Sequence, residues 1–137
     1  MAHTKEWRKN WKPTLIKNGI PTVYGWVVLH MEGLRLGNYV DIGCFCLIQA
    51  EAGVTIEDDV ELGGHVCVYS VSTIDGKRGP VVLKKGCKIG AGSVILPGVT
   101  VGEGATVGAL SLVDKDIPPG VVAYGIPAKS HPGQPDL

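Results

Sequence analysis

The sequence predicts an all-β chain wound as a parallel β-helix, with a short N-terminal cap and one extruded loop. Three observations carry that expectation. The first is a period of six from Leu83 to Pro118, which reads LKKGCK, IGAGSV, ILPGVT, VGEGAT, VGALSL and VDKDIP. The second is the chemistry of two columns in that register. The first column holds Leu83, Ile89, Ile95, Val101, Val107 and Val113, and the fifth holds the small or branched Cys87, Ser93, Val99, Ala105, Ser111 and Ile117. The third is glycine in second place at Gly90, Gly102 and Gly108. A period of six fits neither a 3.6-residue helix nor an alternating strand between hairpins. It fits coils in which each short strand turns a corner and identical positions stack. Aliphatic and small columns then fill the interior, while glycines relieve crowding near the corners.

Residues 1–27 lie outside the pattern and are read as a cap. Thr4 to Lys12 predicts a short helix stopped by Pro13, with Trp7 and Trp11 one turn apart on one face. A solenoid has open ends that atypical terminal segments cover. Trp7, Trp11, Tyr24 and Trp26 are therefore expected to plug the first coil rather than to bind a ligand.

The sixes occupy residues 28–118: LGNYVD from Leu36, IGCFCL from Ile42, an expanded IQAEAGVT from Ile48, IEDDVE from Ile56 and LGGHVC from Leu62. Met31–Leu36 parallels Glu51–Ile56 twenty residues later, so the early coils carry two extra residues at one corner, whereas Leu83 to Thr100 is a coil of eighteen. The surplus between Val68 and Leu83 is expected to leave the prism as a loop at about 69–80. A loop on a rigid scaffold is where function tends to sit. Residues 119–137 are read as a tail that abandons the sixes, runs back along the prism or caps it, and loses order at its end.

The length of 137 residues fits one domain, and thirteen basic residues balance thirteen acidic ones. That balance argues against nucleic acid or an anionic membrane as partner. No apolar run approaches the roughly 20 residues of a membrane span, and the polar N-terminus does not read as a signal peptide. Cys46 and Cys87 fall at inward fifth positions, where a thiol is a compact apolar filler. Cys44-Phe45-Cys46 lacks the Cys-x-x-Cys spacing of a zinc knuckle. Free thiols and a cytoplasmic location are expected.

The segment from Gly79 to Lys129, GPVVLKKGCKIGAGSVILPGVTVGEGATVGALSLVDKDIPPGVVAYGIPAK, together with the hexads from Leu36, resembles the left-handed β-helix, hexapeptide-repeat acyltransferases. The resemblance supplies the hand, because crossover connections are ordinarily right-handed and a period says nothing about it. It also implies a homotrimer with active sites between neighbouring prisms, and acetyl-CoA as acyl donor. Within the family, GGHVCVYSVSTID is most similar to N-acetyltransferases of nucleotide-linked amino sugars (dTDP- or UDP-amino-deoxysugars) of surface-glycan biosynthesis. Maltose- and galactoside-type O-acetyltransferases carry their catalytic histidine in the segment that aligns with Tyr69 to Ile74. Here the nearest position is Thr73, and that loop has no histidine.

His65 is therefore the candidate catalytic residue, as the only histidine inside the well-defined coils. An amine attacks a thioester only as the free base, and a neutral imidazole accepts its proton near pH 7. Column counting puts Gly92 one coil above His65, which predicts a groove there. The loop's hydroxyls at Tyr69, Ser70 and Thr73 and its acid Asp75 are the candidate acceptor-binding groups. The resemblance points to Gly90, Ala91, Gly108 and Ala109 for the pantetheine arm, and to Lys129 for the phosphates of the coenzyme. No metal is expected. O-acetylation of a sugar or small alcohol, a γ-carbonic-anhydrase-like zinc site and a non-catalytic prism are the alternatives. The zinc site needs three histidines with a closely spaced pair, which His3, His30, His65 and His131 do not supply.

Overall fold

The computed structural model describes residues 3–131, and these form a three-sided parallel β-solenoid. One face stacks five strands: Val27–Leu29, Leu47–Gln49, Cys67–Tyr69, Val94–Ile95 and Leu112–Val113. The second stacks four: Leu34–Leu36, Val54–Ile56, Val81–Leu83 and Thr100–Val101. The third stacks Asp41–Ile42, Glu61–Leu62, Lys88–Ile89, Thr106–Val107 and Val122–Gly125, with Ala128–Ser130 added antiparallel at the top. The expected fold class is the observed one.

The two columns read from the sequence are the core. First-position residues such as Ile56, Leu83, Ile89, Ile95 and Val101 are buried, and so are the fifth-position residues Val66, Cys87, Ser93, Val99 and Ala105. Ser93 and Ser111 are tolerated inside because both hydroxyls donate to the carbonyl of Gly108, at 3.1 and 2.7 Å. Second-position glycines have a specific cause. A Cβ on Gly90 would stand 2.5 Å from the amide nitrogen of Ala109, and one on Gly63 would stand 2.7 Å from that of Ala91. Successive coils stack so closely at this corner that only a hydrogen fits.

Position four turns each corner in the left-handed backbone region. Tyr39, Phe45, Asp59, His65 and Leu110 adopt it at φ of 58–62°, alongside Gly86, Gly92, Gly98, Gly104 and Gly120. Non-glycine residues incur strain there, so the corner scaffold is indifferent to the side chain only when it is glycine.

Three expectations are corrected. The sixth hexad is short by two residues: Ile117 bridges Val101 in parallel, taking a first-column place rather than the fifth. From Ile117 the sixes resume, with Gly120 in the left-handed corner and Val122–Ala123 pairing onto Thr106–Val107. The chain therefore adds one more rung before it turns back at Ile126–Pro127. The surplus after Val68 is also smaller than expected. Tyr69 belongs to a strand and Ser70 is buried, so only Val71 to Arg78 leaves the prism, as a hairpin. Residues 132–137, for which loss of order was expected, lie outside the described residues.

At the N-terminus the helix spans Lys5–Asn10, with the Thr4 hydroxyl accepting from the amide of Trp7 as its cap. Arg8 lies over the ring of Tyr39 at 4.0 Å and pairs with Asp59, and the indole N–H of Trp11 donates to the carbonyl of Val40 at 2.9 Å. These contacts pin the cap across the first coil.

Candidate active site

His65 occupies the corner between the third face, where Glu61–Leu62 ends, and the first, where Cys67–Tyr69 begins. It is exposed, its amide donates to the carbonyl of Cys44 at 2.9 Å, and its ring packs against Phe45 of the coil below with centroids 5.3 Å apart. The column at this corner reads Gly25, Phe45, His65, Gly92, Leu110, from the strand registers on either side. The groove expected over His65 is partly filled. A Cβ placed on Gly92 would lie 2.6 Å from Cδ2 of Leu110, so the leucine of the next coil hangs into that space. Phe45 and Leu110 were missed in reading the sequence. The same count that set Gly92 above His65 was the signal that could have found them.

The coenzyme candidates divide. Gly90 and Gly108 do not open the backbone to a ligand: the coil above covers them, with Ala109 over Gly90 and Tyr124 over Gly108, where an added Cβ would stand 2.9 Å from that of Tyr124. Ala91 and Ala109 are exposed, and among the described residues their N–H groups have no hydrogen-bond acceptor. Lys129 pairs in register with Tyr124, directly above Gly108, so it is an exposed cation at the top of the same corner.

The acceptor candidates also divide. The Ser70 hydroxyl donates to the carbonyl of Gln49 at 2.7 Å and accepts from the amide of Ala52 at 3.0 Å, and no part of the residue reaches solvent. Ser70 is a structural corner residue, closed to an acceptor. Tyr69 is half-buried at the far end of the strand Cys67–Tyr69 that follows the His65 corner, and burial, with the Cys67 thiol beside it, raises its phenol pKa. Four residue steps along the chain separate the two, about 13 Å at most. Thr73 and Asp75 stand at the exposed tip of the hairpin with Ile74, which is 96% exposed. Asp75 accepts from the amide of Lys77 at 3.1 Å and from the Ser72 hydroxyl, and these bonds hold its carboxyl below the ordinary range. The root of the hairpin is tied by Arg78 to Glu51 at 2.6 Å, and His30 approaches the other oxygen of Glu51 at 3.3 Å. His30 is thus a second coil histidine, held at a corner between Glu51 and Glu32.

His65 and the hairpin consequently flank the first face from opposite ends, and one chain does not bring them together. The outer surface between them is apolar. Val27, Leu47, Cys67, Val94 and Leu112 form a half-buried outward stripe, whereas Asp41, Glu61, Lys88 and Thr106 take the equivalent places on the third face.

Comparison with known proteins accounts for this architecture. Residues 80–115 match the model of the bacterial transferase hexapeptide (six repeats) family. A Staphylococcus aureus (strain MRSA252) protein that bears an acetyltransferase name is 34% identical over 151 residues, covering 94% of this chain and 73% of that one. The chain belongs to the hexapeptide-repeat acetyltransferases. Other curated relatives in this family are longer. The serine acetyltransferase of Buchnera aphidicola (Schizaphis graminum) is 43% identical over 77 residues, which are 56% of this chain and 30% of the relative. The dTDP-4-amino-4,6-dideoxy-D-glucose acyltransferase of Escherichia coli is 32% identical over 113 residues, 71% of this chain and 59% of the relative. The chain thus spans less than two thirds of the length of either. Among solved structures, a hexapeptide-repeat acetyltransferase of Vibrio cholerae complexed with acetyl-CoA superposes with a TM-score of 0.71 at 27% identity, over 77% of this chain and 62% of that one. A galactoside acetyltransferase in complex with coenzyme A superposes at 0.64 with 28% identity, over 79% and 61%. No helix among the described residues is long and apolar enough to cross a membrane.

Proposed function

We propose that the chain is an acetyl-CoA-dependent N-acetyltransferase whose acceptor is an amino sugar carried on a nucleotide, dTDP or UDP. The observation that carries the reading is the exposed imidazole of His65, at a corner where Gly64 beside it lies one rung below the free N–H of Ala91 and two below that of Ala109. The resemblance of GGHVCVYSVSTID to amino-sugar enzymes, and the Escherichia coli relative, choose the acceptor class.

In this reading two chains build each site. The apolar stripe of the first face packs against a neighbour in a homotrimer, which carries a neighbour's hairpin towards His65. Thr73 and Asp75 at the hairpin tip and Tyr69 at its root are the acceptor-side groups. Ala91 and Ala109 offer N–H donors to the pantetheine amides, and Lys129 offers a cation to the phosphates. The acetyl thioester supplies the electrophilic carbonyl. His65 holds the amine by its N–H and accepts one proton as the nitrogen bonds to that carbon. The carbon–sulfur bond breaks, and the proton passes from His65 to the departing thiolate, so the imidazole ends neutral. Free thiols and acetyl-CoA supply both fit a cytoplasmic enzyme.

O-acetylation of a sugar or small alcohol remains the second reading, supported by the galactoside acetyltransferase likeness. Both are tested by one screen. Purified protein is incubated with acetyl-CoA and either dTDP- or UDP-linked amino sugars or hydroxyl acceptors such as serine and galactosides, and free thiol is followed. Thiol release with the amino sugars, and N-acetyl product by mass, supports the proposal. Turnover on hydroxyl acceptors alone replaces it with the second reading, and light scattering that shows an active monomer removes the shared site.

A further inference from the structure

We propose that the N-terminal end of the prism carries a separate binding site for a small organic cation, a protonated or quaternary amine on an apolar body. The cap covers the first coil but leaves a space beside it. Between the helix Lys5–Asn10 and the lowest rung lies a cavity of about 610 Å³, lined by Trp7, Trp11, Tyr24, Trp26, Glu6 and Asp41 among others. That volume lies within the range of small-molecule sites. Trp26 and Trp11 pack on the core as the expected plug, and the space beside them is more than shielding the core requires.

The lining selects the ligand's chemistry. Trp26 is 2% exposed and forms the floor, while Tyr24 is 59% exposed at the rim. The indole N–H of Trp11 is already engaged by the carbonyl of Val40, so that ring offers only its π surface. Trp7 has one face covered by His3, with centroids 3.6 Å apart, and the half-buried ring also borders the cavity. The partly exposed Trp7 and Trp11 and the exposed Tyr24 present electron-rich rings that attract a cation placed over them. Two carboxylates, Glu6 and Asp41, share the lining with one ammonium, Lys12, which favours a positive ligand over a negative one. Asp41 presents Oδ2 to Nε2 of His3 at 3.1 Å, and the same nitrogen lies 2.9 Å from Oε1 of Glu61, so one imidazole is shared between two carboxylates. A neutral ligand leaves the excess of carboxylate over ammonium in the lining unanswered, and an anion is repelled by it.

This cavity is not the corner proposed for acetyl transfer. Gly25 lies beneath the ring of Phe45, with a built Cβ 3.4 Å from it, and His65 is two rungs above Gly25. Two rungs are about 10 Å.

All three tryptophans of the chain line the cavity, so intrinsic tryptophan fluorescence reports on this site directly. The probe is benzyltrimethylammonium, titrated into the full chain without acetyl-CoA or acceptor. Saturable quenching is expected, with affinity at least about tenfold weaker for neopentylbenzene, which has the same shape without the charge, and no saturation by benzenesulfonate. Glu6→Gln, at an exposed residue of the cavity lining, is expected to weaken the cation by about threefold to tenfold and to leave neopentylbenzene unchanged. Equal affinity for the cation and its neutral twin overturns the proposal, as does saturation by the sulfonate. A fluorescence change that follows protein concentration instead of probe overturns it in favour of a second copy covering this end. None of these outcomes depends on whether the chain transfers acetyl groups.

Discussion

The ring of Phe45 packs against the ring of His65 across one rung, centroids 5.3 Å apart and planes tilted by 38°. Phe45 is 65% exposed and sits at φ 62°, so neither burial nor backbone comfort explains it. What it does is give an otherwise free imidazole a fixed neighbour. If His65 is the general base, His65→Asn lowers kcat by at least about a hundredfold with assembly and coenzyme binding intact. Phe45→Ala, which leaves the base but frees its ring, lowers kcat less and KM hardly at all, and Phe45→Tyr restores it. Steady-state kinetics on the acceptor found by thiol release decide this. A loss below about tenfold for His65→Asn assigns the proton to the coenzyme sulfur instead, whose pKa of about 8.5 makes it a competent acceptor.

Two kinds of glycine in the coils predict two sizes of damage. Gly104 has φ 69° and open space around a built Cβ, so Gly104→Ala meets only backbone strain, about 1–2 kcal/mol. Gly90 has no positive φ, but its Cβ would stand 2.5 Å from the backbone of Ala109. Gly90→Ala must push adjacent coils apart and is expected to cost about 3 kcal/mol or more. Thermal unfolding of both variants beside the parent measures the order. A milder effect at Gly90 than at Gly104 contradicts this account of the second-position glycines.

Much of this was legible because stacking repeats itself in sequence. The columns through Leu83 and Cys87 identify the core directly, since each coil must fill the same interior. What a period cannot carry is a deletion that keeps the pattern alive. Ile117 reads as a fifth-position residue by counting, yet it stacks on Val101, because losing two residues at a corner shifts every later position by two. Counting places Leu110 over Gly92 but does not report how far its side chain reaches, so the vacancy at Gly92 is legible and its filling by Leu110 is not. Ser70 reads as a loop hydroxyl because its neighbours are polar. Only the register of its strand with Leu47–Gln49 puts it inside, where the carbonyl of Gln49 holds it. The meeting of His65 with a hairpin tip is written in no single chain, because the two lie at opposite ends of one face.

The four thiols are expected to separate by reactivity. Cys44 is exposed and Cys67 half-buried, whereas Cys46 is buried with its thiol directed at the carbonyl of Gly63, 3.1 Å away. Burial pushes the Cys46 thiol up and carries that of Cys87 to about 12. At pH 8 the thiolate fraction of Cys87 is then about 10⁻⁴, and the thiolate is the reacting form. An aromatic disulfide reagent followed by peptide mapping is expected to label Cys44 first, Cys67 more slowly, and Cys46 and Cys87 only on unfolding. Early modification of Cys87 in the folded protein contradicts the packing described for the fifth column.

The hairpin's own anchor gives the last prediction. Arg78 beside Glu51 holds the glutamate carboxyl below its ordinary range, and the amide of Lys77 does the same for Asp75 at the tip. An acid with a depressed pKa contributes fully above the ordinary carboxylate value, and its contribution disappears as pH falls through the lower folded value. The hairpin is therefore expected to keep its order from neutral pH down to about pH 5 and to loosen below about pH 4. Both groups are solvent-exposed, so screening keeps the effect local and leaves the coils intact. Hydrogen exchange resolves it at two amides, Ser72, which donates to Lys77, and Gly79, which donates to Ser70. Their protection, corrected for the intrinsic rate at each pH, is expected to fall in acid, while that of Val94, bonded to Ser111 within the prism, stays constant. Glu51→Gln removes one of the two acids and is expected to lower hairpin protection at pH 7 towards the acid level, leaving only the Asp75 part of the titration. Hairpin protection that is flat from pH 7 to pH 3, in parent and variant alike, shows that the Arg78–Glu51 pair holds nothing in place.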